Sequence, residues 1–146
     1  MNRDSRLSVA LHLLLHLSQM RTPVTSEALG SMMATNPVVI RRVLGGLRDS
    51  GIVAAVKGHG GGWTIARDLQ SASLYDVYEA LGITSVFGVG VRDPHPTCPI
   101  EKGVNQAVGK ALREAEAQLM TRLRSTTVAD VLSKATRTRV ARSHAS

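Results

Sequence analysis

The chain has a single cysteine, Cys98, and is nearly empty of aromatic side chains. One thiol excludes an internal disulfide framework and a zinc site built from several cysteines. Aromatic residues make up 3% of a chain that is 43% hydrophobic, so the core must come from Leu, Val, Ile, Met and Ala. That composition favours helices over a β-sandwich. Long apolar runs are also absent. None approaches the ~20 residues of a membrane span. Leu11–Leu17 is apolar, but His12 and His16 interrupt it and no small-residue cleavage site follows. A cytoplasmic protein with no membrane partner is expected. Acidic residues are few: 11 Asp and Glu stand against 18 Lys and Arg, a net charge of +7. Such an excess favours polyanionic partners, nucleic acid or acidic lipid, and charge alone does not separate the two.

Catalytic motifs are missing as well. Gly58-His59-Gly60 could begin a dinucleotide fingerprint, but Trp63 stands where its third glycine is needed. His59-Gly60-Gly61-Gly62 matches an oxyanion-hole tetrapeptide, yet no Gly-x-Ser-x-Gly elbow accompanies it. No phosphate-binding loop with Gly-Lys-Ser/Thr occurs. The chain offers no complete enzyme constellation, and none is expected.

What is present is a pattern of short helices followed by a glycine-rich hairpin. Leu7, Ala10, Leu11, Leu14 and Leu17 recur at helical spacing and predict a first helix from Arg3 or Asp4 to Met20. Ser5, Ser8, His12, His16 and Gln19 form its polar stripe. Thr25 caps a short second helix with Ala28, Leu29, Met32 and Met33 as its apolar face. Asn36-Pro37 is a strong helix start, a capping side chain followed by proline at the first helical position. The third helix is expected from Pro37 to about Asp49. Val39 or Ile40, with Val43, Leu44 and Leu47, face the core, Arg41, Arg42 and Arg48 point outward, and Gly51 stops it.

Two β-type runs, Ile52–Val56 and Trp63–Ala66, flank Lys57-Gly58-His59-Gly60-Gly61-Gly62, a hairpin signal. Ser73 caps a helix over Leu74–Leu81. Residues 82–97 are rich in glycine and proline and read as a hinge or sensor loop. From Pro99 to about Arg124 the longest helix carries an apolar stripe including Ile100, Val104, Val108, Leu112, Leu119 and Leu123. That stripe is longer than the domain's own core needs, so it is expected to pair with a second subunit. A short helix, Val128–Lys134, precedes a basic tail read as disordered.

Helix, turn, helix and a basic glycine hairpin together make a winged helix-turn-helix, mainly α with a small β-hairpin. The candidate DNA-binding residues are Thr35, Asn36, Pro37, Val38, Val39, Arg41 and Arg42 on the reading helix, with Lys57 and His59 on the wing. Arginine can bond guanine in pairs, and Val or Thr methyls can meet the thymine methyl. Thr35 and Asn36 can also hold phosphate at the positive end of the helix dipole.

Residues 35–66, from Thr-Asn-Pro-Val-Val-Ile-Arg-Arg through Lys-Gly-His-Gly-Gly-Gly-Trp, resemble the bacterial Rrf-two family of winged-helix regulators. The likeness extends over nearly the whole chain. It implies a homodimer, a long dimerisation helix and repression or activation at a near-palindromic operator on double-stranded DNA; of the two, a repressor is expected. It places Lys57 where the family usually has a minor-groove arginine. Cluster-binding members carry three cysteines in the loop that here reads Arg92–Gln106. With Cys98 alone, no iron–sulfur cofactor is expected.

The expected division is 1–82 for DNA binding, 83–98 for the hinge, 99–134 for dimerisation and 135–146 for the tail. Cys98 and His95 are the candidate sensor for a redox or small-molecule effector, because a helix N-terminus favours the thiolate. His12 and His16 stand four apart, a spacing two metal ligands can share. No carboxylate or cysteine accompanies them, so a solvated stripe is preferred and no metal is expected. The alternative to a DNA reader is a winged-helix protein–protein adaptor. Charge on the reading helix argues against it.

Overall fold

The computed structural model describes residues 4–87 and 90–143. Of the expected features, the helix start at Arg3, Gly88 and Val89 of the hinge, and residues 144–146 of the tail lie outside the described residues. The elements in order are α1 (Arg6–Ser18), α2 (Ser26–Met33), α3 (Pro37–Asp49), β1 (Val53–Val56), β2 (Gly62–Ile65), α4 (Leu74–Ala80), α5 (Pro99–Ser125) and α6 (Val128–Ser143). The fold is mostly helical, with one two-stranded antiparallel hairpin whose register pairs Val53 with Ile65 and Val56 with Gly62.

The core is aliphatic, as the scarcity of aromatics demands. Leu13, Leu14, Leu29, Ile40, Leu44, Leu47, Ile52, Val53, Val77 and Val128 are completely buried. They come from α1, α2, α3, β1, α4 and α6, so one core joins the reading unit to the last helix. Each such side chain contributes roughly 1.5–3 kcal/mol of transfer free energy. On α3 the buried residue is Ile40, while Val39 faces out.

Local chemistry sets the ends of α3. Asn36 accepts a hydrogen bond from the Val38 amide at 2.9 Å, and Pro37 occupies the first turn. At the other end Gly51 takes φ +74°. Its amide donates to the Arg48 carbonyl and the Ile52 amide to the Leu47 carbonyl, both at 2.9 Å. This Schellman ending turns the chain directly into β1.

The structure departs from expectation at two helices. Met32 is 46% exposed, and buried Ser26 and Gly30 take its place on the inner face of α2. The reason is contact: a Cβ at Gly30 would lie 2.7 Å from the Thr35 carbonyl oxygen. The helix turns its smallest residue toward the tight turn, and Met32 rotates to the surface. The second departure is α6, which continues to Ser143 rather than ending at Lys134 before a disordered tail. Residues 134–143 contain no Gly or Pro, so nothing stops the helix; their charge alone reads as a tail.

The long helix α5 departs from the core along most of its length. Only Leu123 is buried, whereas Ile100 is 78% and Val104 54% exposed. Its C-terminal end is fastened by backbone. The Leu74 amide donates to the Thr126 carbonyl at 2.9 Å, and the Val128 amide to the Ala72 carbonyl at 2.8 Å. Arg124 lies over the Tyr75 ring, 4.1 Å from its centroid.

Candidate nucleic-acid interface

The candidate surface is built from α2, α3 and the wing. Burial of Ile40, Val43, Leu44 and Leu47 turns the opposite side of α3 to solvent. At 100° per residue Val38, Arg41 and Arg42 share that outer side, with Val39 at its margin. Val38 is 52% and Val39 41% exposed, an unusual display of β-branched side chains at a helix N-terminus. Thr35 is half-buried, and its hydroxyl donates to the Met33 carbonyl at 3.1 Å. Asn36 is spent on the cap. Of the expected contact residues, Thr35 and Asn36 therefore shape the turn as well as border the surface.

The two arginines are held differently. Arg41 donates to Glu27 of α2 at 2.7 Å. The Glu27 carboxyl sits below its usual range, first because its own backbone amide bonds it and then because Arg41 does. Arg42 makes no ion pair among the described residues. The free guanidinium is Arg42, and Arg41 is tethered across the two helices. Sequence reading missed the tether because the partners lie on separate elements, with no local spacing to mark them.

The wing projects through five loop residues between Val56 and Gly62, and Lys57 and His59 are exposed on it. Its glycines are structural. A Cβ at Gly61 would strike the Val56 carbonyl, and one at Gly62 would lie 2.6 Å from the Val24 backbone. Gly62 permits the Val24 and Trp63 backbones to exchange bonds of 2.8 and 3.0 Å. Trp63 then donates its indole N–H to the buried Ser26 hydroxyl at 2.9 Å. The wing is thereby bolted to the start of α2, a link between residues far apart in sequence.

This geometry has relatives. The model of the Rrf2 family, described as iron-dependent transcriptional regulators, matches residues 3–134. The chain belongs to the Rrf2 family. YwnA of Bacillus subtilis, named as an HTH-type transcriptional regulator, is 30% identical to this Rrf2 chain over 129 residues, covering 88% of it and 96% of YwnA. Two solved structures share the fold. One, described as a transcriptional regulator from Lactobacillus plantarum, is 24% identical with a TM-score of 0.76 over 90% of each chain. The other is CymR, the global cysteine regulator of B. subtilis, 18% identical with a TM-score of 0.57, covering 92% of this chain and 98% of CymR.

The family description raises iron, and the residues of this Rrf2 chain do not fit a cluster. Cys98 is the sole thiol and lies exposed at the start of α5, without a side-chain capping bond. Among the described residues no three His, Cys, Asp or Glu side chains gather as ligands. No hydrogen bond joins His95 to Cys98 among the described residues; the His95 amide is bonded to Asp93. No described helix is long and apolar enough to cross a membrane.

Proposed function

We propose that this regulator acts as a homodimer that represses transcription from a near-palindromic operator. In this reading α3 enters the major groove. Arg42 bonds a base edge, Val38 and Val39 meet thymine methyls, and Arg41 is positioned by Glu27 beside the backbone. Thr35, Asn36 and the first turn from Pro37 border the phosphates. Lys57 and His59 follow the wing to the minor groove or its phosphate rim. The observation that carries the reading is the outer side of α3, where Arg42, without an ion pair among the described residues, stands beside exposed Val38 and Val39. The bare apolar stripe of α5 supports the dimer, which would set two reading helices about one helical turn, ~34 Å, apart or a multiple of it. The protein then works in the cytoplasm with its DNA.

The test is selection of bound sequences from random duplexes with the parent chain and Arg42→Ala. A two-fold-symmetric consensus that Arg42→Ala blurs at one position per half-site is the expected result. Absence of any enriched sequence would favour the adaptor instead. Repeating the selection with oxidised and reduced protein, and with Cys98→Ser, decides whether the thiol near His95 governs binding.

A further inference from the structure

The outer side of α1 carries a pair of side chains that the DNA reading does not use. Ala10, Leu13, Leu14 and Leu17 turn inward. His12 and His16 stand on the opposite side, one turn apart. Spacing of this kind often leaves two rings pointing different ways. Here they converge: the Nε2 atoms lie 3.1 Å apart, and the ring centroids 4.7 Å apart with 31° between their planes. In the metal-free chain the N–H of one ring donates to the nitrogen of the other across that distance, and a cation can take the place of that proton. His12 is exposed, so the gap is open to solvent.

We propose that His12 and His16 chelate one divalent ion of the zinc, nickel or copper(II) class per chain. Imidazole nitrogen is a preferred donor for these ions. With Zn–N bonds of about 2.05 Å, two nitrogens 3.1 Å apart subtend an angle of roughly 98° at the ion, and opening toward the tetrahedral ~109° requires about 0.2 Å more. Small ring rotations supply that. The described residues offer no third protein ligand, so water completes the shell. A cleft of about 170 Å³ between α1 and α6, lined by Leu15, His16, Gln19, Ala135 and Thr136, borders His16, while His12 is open to solvent. The sequence pattern alone favours a plain solvated stripe; the convergence of the rings is the observation behind a site there. Because α1 packs against α3, α4, α6 and β2, an ion stapling one of its turns stabilises the whole reading unit.

The experiment uses untagged full-length protein carrying Cys98→Ser, so that the thiol offers no competing site. Zinc and nickel are titrated calorimetrically into this parent, into His12→Gln and His16→Gln, and into the double variant. The expected result is one more ion bound per chain in the parent than in the double variant. Each single variant should bind at least tenfold more weakly, and the rise in Tm with zinc should vanish when both rings are gone. Equal stoichiometry and affinity in parent and double variant would overturn the proposal, as would a single variant binding as tightly as the parent.

Discussion

At the scale of single residues, two neighbouring arginines have been given different work by one carboxylate. Arg41 is committed to Glu27, whereas Arg42 is free among the described residues. Arg42→Ala should therefore cost about 1–3 kcal/mol in operator binding, concentrated at one base position, as measured by competition between cognate and mutated duplexes. Glu27→Gln acts in the opposite direction. It releases Arg41 and removes a negative charge from the surface proposed to face the phosphates. Affinity for unrelated DNA should rise severalfold at low salt, while the ratio of specific to nonspecific binding falls. An unchanged ratio in filter binding would mean that the tether does not position Arg41. Asp130, which caps α6 together with Thr127, gives a pH prediction. The Thr127 backbone amide, and then its hydroxyl, hold the Asp130 carboxyl below its ordinary value. A carboxyl depressed in the fold binds fewer protons there than in the unfolded chain. Its stability contribution is thus complete above the unfolded carboxylate pKa and lost as pH falls toward the folded value. Asp130→Asn should flatten the acid limb of Tm against pH and leave the neutral region level.

At the scale of elements, α3 depends on its ends. Asn36→Ala removes a cap and should cost about 1 kcal/mol, read from chemical denaturation. Val38→Ala, which keeps the backbone amide that Asn36 caps and removes only exposed methyls, should leave stability nearly unchanged and so separates folding from reading. The ends of α3 were legible in sequence because capping is local chemistry: Asn36-Pro37 and Gly51 announce it within a few residues. The alternation of core and surface along α3 was legible for the same reason, down to a choice between Val39 and Ile40. What was illegible lies across elements. No pattern within α2 says that Ser26 is buried under Trp63, or that Gly30 is pressed against the Thr35 carbonyl and drives Met32 outward. The length of α6 was hidden differently. Its basic charge reads as a solvated tail, but like charges at helical spacing cost only about 0.2–0.5 kcal/mol per pair, and no Gly or Pro stops the helix. The site residues followed the same division, with exposure of Val38 and Arg42 readable from periodicity and the Arg41–Glu27 tether not. Trp63→Phe tests the cross-element link. It keeps an aromatic ring but loses the five-membered ring and its N–H, strands the buried Ser26 hydroxyl, and should cost about 1 kcal/mol or more while loosening the wing against proteolysis.

At the scale of the whole molecule, the open question is what covers α5. Its first half is held by the loop before it, where Arg92 pairs with Glu101 and the Asn105 side-chain amide donates to the Asp93 carbonyl, while Ile100 and Val104 stay exposed. Pairing with the same helix of a second copy would bury that stripe and hold two reading helices at fixed separation. Val104→Glu with Val108→Glu should yield a monomer by sedimentation equilibrium. The substituted positions lie far from Leu123 and from the backbone bonds that fasten α5 to the segment before α4, so the reading unit should keep its fold and its near-native far-UV spectrum. DNA binding then separates the readings. A dimer neutralises twice the phosphates of one subunit, and the slope of log K against log salt is about −0.9 per phosphate contacted. The monomeric variant should show roughly half the parent's slope and lose the dependence on half-site spacing. A variant that is monomeric yet keeps the full slope would mean that one subunit makes every contact. The bare stripe of α5 would then have to serve a partner other than a second copy of this chain.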